Sequence, residues 1–281
     1  MTTLLISQTN GSAHATPSGH AERQERIEAA ARALGHPRFG ALMREMAAPG
    51  DLELAELVHS PKVMDTIRAI RPAEGIGQID PDTFVSARSL EASATALGGV
   101  LRGIEAIILG EAHNAFILAR PPGHHAERDR SMGFCLVNTI AIAARQAQRL
   151  YGAERVAIID FDVHHGNGTQ DIFADDPSVF YASSHQMPLY PGTGAHHERG
   201  VGNIVNAALE AGSGGQEMRA AYKEQILPAL DNFAPDLILV SAGFDAERRD
   251  PLAQLEWVGA DYAWLTGKLM DIAEKRCSNR L

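Results

Sequence analysis

The sequence predicts an α/β fold, a single-domain, open and mostly parallel sheet with helices on both faces. Short apolar runs typical of buried strands alternate along the chain with helix-forming segments. Residues that can do chemistry follow those runs directly, at the strand ends where open parallel sheets hold their ligands. With 281 residues, 45% of them apolar, the chain can bury a large core. We therefore expect one domain over 1–281.

The first half of the chain begins with a strand and is then rich in helix. The stretch 3–7 is short and apolar, and Pro61 suits the first turn of a helix. Asp80 and Asp82 flank a proline, which predicts a turn within an irregular segment, 72–86. Charges alternate over 22–26, which predicts a solvated helix face. Helices are predicted over 21–34, 52–59, 61–70, 89–108 and 138–150, and strands over 3–7 and 115–119.

The second half alternates strands and helices more regularly. The run 156–159 is continuously apolar, which is typical of a strand buried on both faces in a parallel sheet. A second apolar run within 235–246 has the same design, with a glycine and then an aspartate just past its end. Further strands are predicted over 179–184 and within 200–209, and helices over 169–173, 216–232 and 255–275.

Asp160, Asp162 and His164 follow the 156–159 strand at a spacing of two residues. In an extended chain this spacing places the three side chains on one side, with Phe161 and Val163 on the other. Buried carboxylates are costly unless they are paired or bind a metal, which favours a metal site over turn or capping roles. Asp162 and His164 suit zinc, and a catalytic zinc site needs a third protein ligand and an open position.

Two other loops supply candidates for the same site. Asp245 lies directly past the second apolar run, and we predict it as the third metal ligand. His124 and His125 follow two prolines and a glycine, which stiffen their loop. Adjacent histidines on a rigid loop are candidates for proton transfer. The ligand types accept iron as well as zinc, so the residues leave the metal open.

Composition narrows the class of protein. The formal net charge of −10 argues against a nucleic-acid binder and fits a small cationic substrate. Cys135 and Cys277 are far apart, with no CxxC motif, which indicates a reducing compartment. The sequence has no apolar stretch of about 18 residues, and its first residues lack the basic region of a secretory signal. We expect a cytoplasmic enzyme with no membrane partner, and a homo-oligomer is left open.

Five motifs in order carry a resemblance to a known family. They are Arg-Pro-Pro-Gly-His-His-Ala (120–126), Gly-Phe-Cys-Leu-Val-Asn (133–138), Asp-Phe-Asp-Val-His-His-Gly-Asn-Gly-Thr (160–169), Pro-Gly-Thr-Gly (191–194) and Ser-Ala-Gly-Phe-Asp-Ala (241–246). With them the chain resembles the zinc-dependent histone deacetylases, in the bacterial class II-like branch that includes acetylpolyamine amidohydrolases. The resemblance implies an arginase-like sheet and hydrolysis of an N-acetyl amide, on acetyl-lysine, an acetylpolyamine or a similar small amide.

The resemblance also implies roles for single residues. It implies that Asp162, His164 and Asp245 bind zinc, and that His125 acts as general base and then as general acid. His124 would be an electrostatic partner paired with Asp160, and Asn167 stands where the partner of His125 is found. Gly133, Phe134 and Tyr190 would line the substrate tunnel. Apart from the resemblance, the turn residue Asp82 is a candidate to accept hydrogen bonds from a substrate backbone. Structural potassium is implied at Asp160, Asp162, His164 and Ser183, and at a second site by Phe173 and Val179.

Two alternatives stand beside a deacetylase. The family's oxyanion donor is a tyrosine in a Gly-Gly-Tyr turn after the next strand, and this sequence contains no such turn, so we expect that strand to be lacking. The first alternative is therefore a catalytically impaired relative that binds a ligand or a partner. The second is a binuclear manganese ureohydrolase, which would need a carboxylate shortly after His164, where Gly166 and Asn167 stand.

Overall fold

A computed structural model describes residues 2–281 as two compact units, the first ending at Gln146 and the second comprising Ala147–Leu281. Helices combined with mostly parallel sheets confirm the predicted α/β class. Among residues 2–281, no helix has the length and apolar character needed to cross a bilayer. The strands are β1 Thr3–Ser7, β2 Met43–Met46, β3 Ile76–Gln78, β4 Phe84–Ser86, β5 Asn114–Leu118, β6 Val156–Asp160, β7 Val179–Gln186, β8 Ile204–Leu209 and β9 Leu237–Ser241. The α-helices are α1 Gln24–Leu34, α2 Pro61–Ile70, α3 Ser89–Ile108, α4 Thr139–Tyr151, α5 Asn167–Phe173, α6 Gly215–Ala221, α7 Leu227–Phe233 and α8 Gly259–Cys277.

The first unit is built on β1, which pairs in parallel with β2 on one side and β5 on the other. Leu4 and Ile6 of β1 are buried and pack with Ala106 of α3. A Cβ atom at Gly103 would lie 3.0 Å from Ile117 Cδ1, so α3 approaches β5 closely where its side chain is absent. This unit also contains the β3–β4 hairpin and three short 3₁₀ helices, Gly11–Ala13, Pro37–Phe39 and Leu52–Leu57.

The second unit is built on a four-stranded parallel sheet in the order β8-β7-β6-β9. Every residue of β6 is buried, as its continuous apolar run predicts. Asp160 at the end of β6 is in register with Ser183 of β7 and Ser241 of β9. The carboxyl ends of β6 and β9 therefore lie side by side at one edge of the sheet, and β7 continues three residues further to Gln186. The loops that follow β6 and β9 leave from this edge.

The predicted bounds differ from the structure where local pattern is weak. The strand β2 is mostly exposed, and the β3–β4 hairpin lies inside the segment predicted to be irregular. The helix α1 begins at Gln24, so Glu22 precedes it, and the prediction of Glu22 on a solvated helix face is wrong. A π-turn, Tyr222–Ile226, joins α6 to α7 because Pro228 lacks a backbone N–H for the regular helical pattern.

Candidate active site

The three predicted metal ligands meet in the second unit. β6 ends at Asp160, and the chain then bends through residues 162–164, while Asp245 follows β9. The Nδ1 atom of His164 lies 3.0 Å from Oδ1 of Asp162 and 3.1 Å from Oδ2 of Asp245. One ligand atom from each of the three residues lies within 4.8 Å of the other two. The structure thus brings together residues from two loops separated by about eighty positions.

Electrostatics at this cluster favour a bound cation. Burial by itself lowers the pKa of His164, but the carboxylates of Asp162 and Asp245 outweigh it and raise that pKa to about 10. Burial, and then the negative charge of Asp162, raises the pKa of Asp245. Two carboxylates held this close repel each other unless a positive charge lies between them. A divalent cation supplies that charge without protonating a ligand.

The residues present fit a zinc ion. Two carboxylates and one imidazole give the oxygen and nitrogen donors that zinc accepts, with three protein ligands as in catalytic sites. The backbone N–H of His164 donates to Oδ1 of Asp162 at 2.8 Å, and that of Val163 donates to Oδ1 of Asp245 at 3.0 Å. These bonds orient the ligands from behind. A Cβ atom at Gly243 would lie 2.1 Å from Oδ2 of Asp162, which explains the glycine before Asp245.

The tandem histidines lie in the first unit, after the Pro-Pro-Gly turn. His124 and His125 are both buried, and their ring centroids are 4.0 Å apart. The backbone N–H of His125 donates to the sulfur of Cys135 at 3.4 Å. Gly133 has a φ of +56°, and a Cβ atom there would lie 2.4 Å from the His125 ring. The ring of His125 is therefore packed directly against the backbone of the predicted tunnel wall.

A buried ion pair anchors the turn that carries these histidines. Arg120 is 3% exposed and donates from Nη2 to Oε2 of Glu22 at 2.7 Å, with Glu22 only 2% exposed. Its Nη1 donates to the carbonyl of Gly11 at 2.8 Å, and its backbone N–H donates to Oε1 of Gln8 at 2.7 Å. Sequence reasoning missed this pair, because alternating charges over 22–26 gave no sign that one of them turns inward.

The predicted substrate wall is supported by two residues that sequence reasoning missed. These residues are Thr83 and His20, and both contact Phe134, whose φ is +68°. The backbone N–H of Phe134 donates to Oγ1 of Thr83 at 3.0 Å. The centroid of the Phe134 ring lies 4.8 Å from that of the His20 ring. The Thr83 hydroxyl also donates to Oδ1 of Asp82 at 3.0 Å. Burial, and then the neighbouring Asp80, raises the pKa of Asp82. Asp82 is thus built into the same support as Phe134.

Tyr190 lies beside the metal ligands in the second unit. Its ring is 38% exposed, and its centroid is 6.3 Å from that of His164, in an edge-on arrangement. The Pro-Gly-Thr-Gly loop that follows is tied down by Thr193, which shares a 2.8 Å hydrogen bond with Nδ1 of His165. His165, the residue next to His164, therefore holds the loop that follows Tyr190.

That loop is held by a polar network. His165 Nε2 lies 3.0 Å from Oε1 of Gln170, and Nε2 of Gln170 donates to Oε2 of Glu198 at 2.6 Å. The Glu198 carboxylate also accepts the backbone N–H groups of Gly194 at 3.1 Å and Ala195 at 2.9 Å. Burial acts to raise the pKa of Glu198, but these hydrogen bonds outweigh it and lower that pKa. The sequence predicted the glycine-rich loop but did not indicate that Gln170 and Glu198 hold it.

The remaining predicted residues are buried near the strand ends of the second unit. Asp160 is fully buried, and its Oδ2 accepts from the Tyr181 hydroxyl at 3.2 Å. Asn167 is buried at the start of α5, and the Ser183 hydroxyl lies 2.9 Å from Nδ1 of His185. The carbonyls of Phe173 and Val179 both accept from the side-chain amide of Asn203. The catalytic and potassium roles of these residues stay predictions.

Comparisons with known proteins give matches over most of the chain. A family model described as Histone deacetylase domain matches residues 20–281. Uncharacterized protein slr0245 of Synechocystis is 41% identical over 265 residues, which cover 92% of this chain and 86% of the relative. The Histone deacetylase-like amidohydrolase of Pseudomonas aeruginosa is 36% identical over 271 residues, covering 94% and 71%. The crystal structure of the HDA15 HD domain matches with a TM-score of 0.89 at 33% identity, covering 98% of this chain and 82% of that one.

These matches extend over nearly the whole chain. They confirm the predicted fold and the predicted enzyme class, a hydrolase that deacetylates linear amides. Zinc and potassium are the metals expected for such a protein. The chain belongs to the histone deacetylase family.

Proposed function

We propose that this protein is a zinc-dependent deacetylase that hydrolyses the N-acetyl amide of a small acetylated amine or of acetyl-lysine. The observation that carries the proposal is the cluster of Asp162, His164 and Asp245, whose ligand atoms meet within 4.8 Å. A mixed carboxylate and imidazole set of three is the donor set of a hydrolytic metal site. Family membership supports the same chemistry.

The three ligands would hold the metal, and the chain's other residues would move protons. Bound zinc would act as a Lewis acid toward the amide carbonyl and make water more acidic. We propose that His125 takes a proton from the attacking water and later gives a proton to the leaving amine. His124, with Asp160, would stabilise the positive charge on that imidazole. Asn167 at the partner position of His125 would leave it less strongly held as a cation than a carboxylate would.

The substrate would be recognised by the surface of Gly133 and Phe134 and by the carboxylate of Asp82. Gly133 and Phe134 have positive φ angles and are fixed by packing and by Thr83, so their surface is rigid. Tyr190 would provide a second surface near the metal. Asp82 would accept hydrogen bonds from the substrate, and the net charge of −10 favours a cationic amine. Acetyl-lysine and acetylpolyamines both carry the required amide.

The cysteines support a working compartment. Cys135 and Cys277 are both buried and lie far apart in the sequence, with no CxxC motif, which suits the reducing cytoplasm predicted from the sequence. A nucleic-acid partner is disfavoured by the excess of acidic residues, 35 against 25 basic ones. We therefore propose a cytoplasmic enzyme acting on a diffusible or protein-borne acetylated amine.

An acetate-release assay with metal analysis tests the proposal. The protein is incubated with acetyl-lysine peptides and with acetylpolyamines, and zinc per chain is counted on the same sample. Asp162→Ala and His164→Ala should lose both zinc and acetate release, while the exposed Asp175→Ala should keep both. His125→Ala should keep zinc and lose most activity. Acetate release that survives in a zinc-free Asp162→Ala protein would contradict the proposal, and zinc with no hydrolysis would favour the ligand-binding alternative.

A further inference from the structure

Three backbone carbonyls of the second unit converge on one side-chain nitrogen. Nδ2 of Asn203 donates to the carbonyl oxygens of Phe173 at 2.8 Å, Asp176 at 2.9 Å and Val179 at 2.8 Å. Asn203 is only 5% exposed, so this meeting point is shielded from solvent. The carbonyls come from the end of α5, the turn after it and the start of β7. Sequence reasoning did not single out Asn203.

The orientation of the Asn203 amide is fixed by its other end. Its Oδ1 accepts the backbone N–H of Val201 at 3.2 Å. Turning the amide over would point Oδ1 at three carbonyl oxygens and its NH₂ group at a backbone N–H. Every contact would then be between two acceptors or between two donors, so the hydrogen-bond network decides the assignment. The nitrogen therefore faces the carbonyls.

Such a group of carbonyls is what an alkali cation uses in place of its hydration shell. The resemblance to the family implies potassium at this place, through Phe173 and Val179. In this chain a neutral N–H donor already lies within hydrogen-bond distance of both carbonyls. An ion at the same point would have to displace a buried side chain and break its bond to Val201. The residues present therefore do not fit a potassium ion without rearrangement.

We infer that the side-chain amide of Asn203 takes the place of the second structural potassium ion. The amide supplies two N–H groups to the point where the three carbonyls meet, in addition to the backbone N–H groups that the Phe173 and Asp176 carbonyls accept. The turn between α5 and β7 is then held by the protein itself, and its stability does not depend on the potassium concentration. This inference concerns an ion that holds the fold, so it stands apart from the proposed deacetylase activity.

Two substitutions of Asn203 test whether its amide stands where an ion would otherwise bind. Asn203→Ala removes the donor and leaves room among the carbonyls, so potassium should now bind there. Asn203→Leu removes the donor but keeps the bulk, so the carbonyls lose the side-chain amide and no ion can take its place. The wild type and both variants are compared by melting temperature in KCl and in choline chloride at equal ionic strength. Bound potassium per chain is counted after dialysis.

The wild type should hold no more than the single ion predicted at the first site. Asn203→Ala should hold one more, and saturating KCl should raise its melting temperature by roughly 5–10 °C more than that of the wild type. Asn203→Leu should melt lower in both salts and respond to KCl as the wild type does. A wild type with two potassium ions overturns the inference, as does a folded Asn203→Ala protein that binds no additional ion. If neither variant folds, the ion count of the wild type decides alone.

Discussion

Glu198→Gln tests whether one carboxylate holds the Pro-Gly-Thr-Gly loop. Glu198 accepts three N–H groups, from Gly194, Ala195 and Nε2 of Gln170. A glutamine has one oxygen acceptor and one NH₂ group in the same space. Whichever way the new amide turns, at least one donor of the loop or of Gln170 then faces another donor. The substitution therefore keeps the shape and removes the complementarity.

The expected cost follows from the bonds that are lost. Hydrogen bonds to a charged group contribute about 1.5–3 kcal/mol each, and an unsatisfied buried partner adds to the loss. Glu198 is half-buried, so water compensates for part of the change. We expect the free energy of unfolding to fall by about 2 kcal/mol, with no change in the metal ligands themselves.

A reciprocal exchange should restore most of that loss. In Gln170→Glu/Glu198→Gln the carboxylate moves to position 170, where Nε2 of His165 and Nδ2 of Asn206 now point at the Gln170 oxygen. The new amide at position 198 can donate to that carboxylate and accept from Gly194 and Ala195. Gln170→Glu alone should be destabilising, since two carboxylates would replace a hydrogen-bonded pair 2.6 Å apart.

Urea unfolding of the wild type, both single variants and the double variant measures the coupling. The double variant should lie within about 1 kcal/mol of the wild type, so the interaction energy should be at least about 2 kcal/mol. Glu53→Gln is the control, because the Glu53–Arg68 pair is exposed and should contribute less than about 1 kcal/mol. The reasoning is refuted if Glu198→Gln is as stable as the wild type, or if the double variant shows the sum of two losses.

Three further predictions use other parts of the structure. Burial, and then the charges of Arg120 and His20, lowers the pKa of His14 to about 3. Below pH 6.5 the unfolded chain therefore binds a proton at His14 that the folded chain does not bind. Stability should therefore fall by up to about 1.4 kcal/mol per pH unit between pH 6.5 and 3, and His14→Asn should remove that part of the slope in unfolding curves. Arg120→Met should lower the free energy of unfolding by about 3–5 kcal/mol by leaving Glu22 buried and unpaired, whereas Arg68→Met should cost less than about 1 kcal/mol; equal losses would count against a buried ion pair. Gly243→Ala should weaken zinc binding roughly 10–100-fold, because its Cβ would meet the Asp162 carboxylate, while Gly267→Ala, whose Cβ meets nothing within 4 Å, should leave zinc titrations unchanged.

The sequence predicted the elements whose pattern is local and strong. The bounds of β1, α2 and α3 agree with the predicted ones, and β6 is buried along its whole length as its apolar run indicates. Each of these has an unbroken apolar run or a long helical stripe. The strands that were missed, β2 and the β3–β4 hairpin, have three or four residues and partly exposed side chains. β2 depends on pairing with the distant strand β1, which no local pattern encodes, and the two hairpin strands, with three residues each, are too short to show an alternating pattern.

The residues of the candidate site also fall into those that a local pattern predicts and those that it does not. The meeting of the three predicted metal ligands could be predicted because two parallel strands end at one sheet edge, so a residue just past each end is placed by strand register. The residues that support the site could not be predicted, because their partners lie far away in the sequence. Glu198 is 28 residues from Gln170, and Glu22 is 98 from Arg120. A charge or amide in a polar loop looks the same whether it faces solvent or a buried partner.

His164 and His165 show where side-chain alternation decides function. The chain after Asp160 bends instead of continuing the strand, yet Asp162 and His164 still face Asp245 while Phe161 packs into the core. His165, one position along, therefore faces away from the metal ligands and joins the network that fixes the Pro-Gly-Thr-Gly loop. Two identical side chains thus have different surroundings: His164 lies among the predicted metal ligands, and His165 holds the loop that follows Tyr190. An insertion or deletion of one residue within this bend would turn both side chains to the opposite sides, so it should disrupt the predicted metal site and the loop network together.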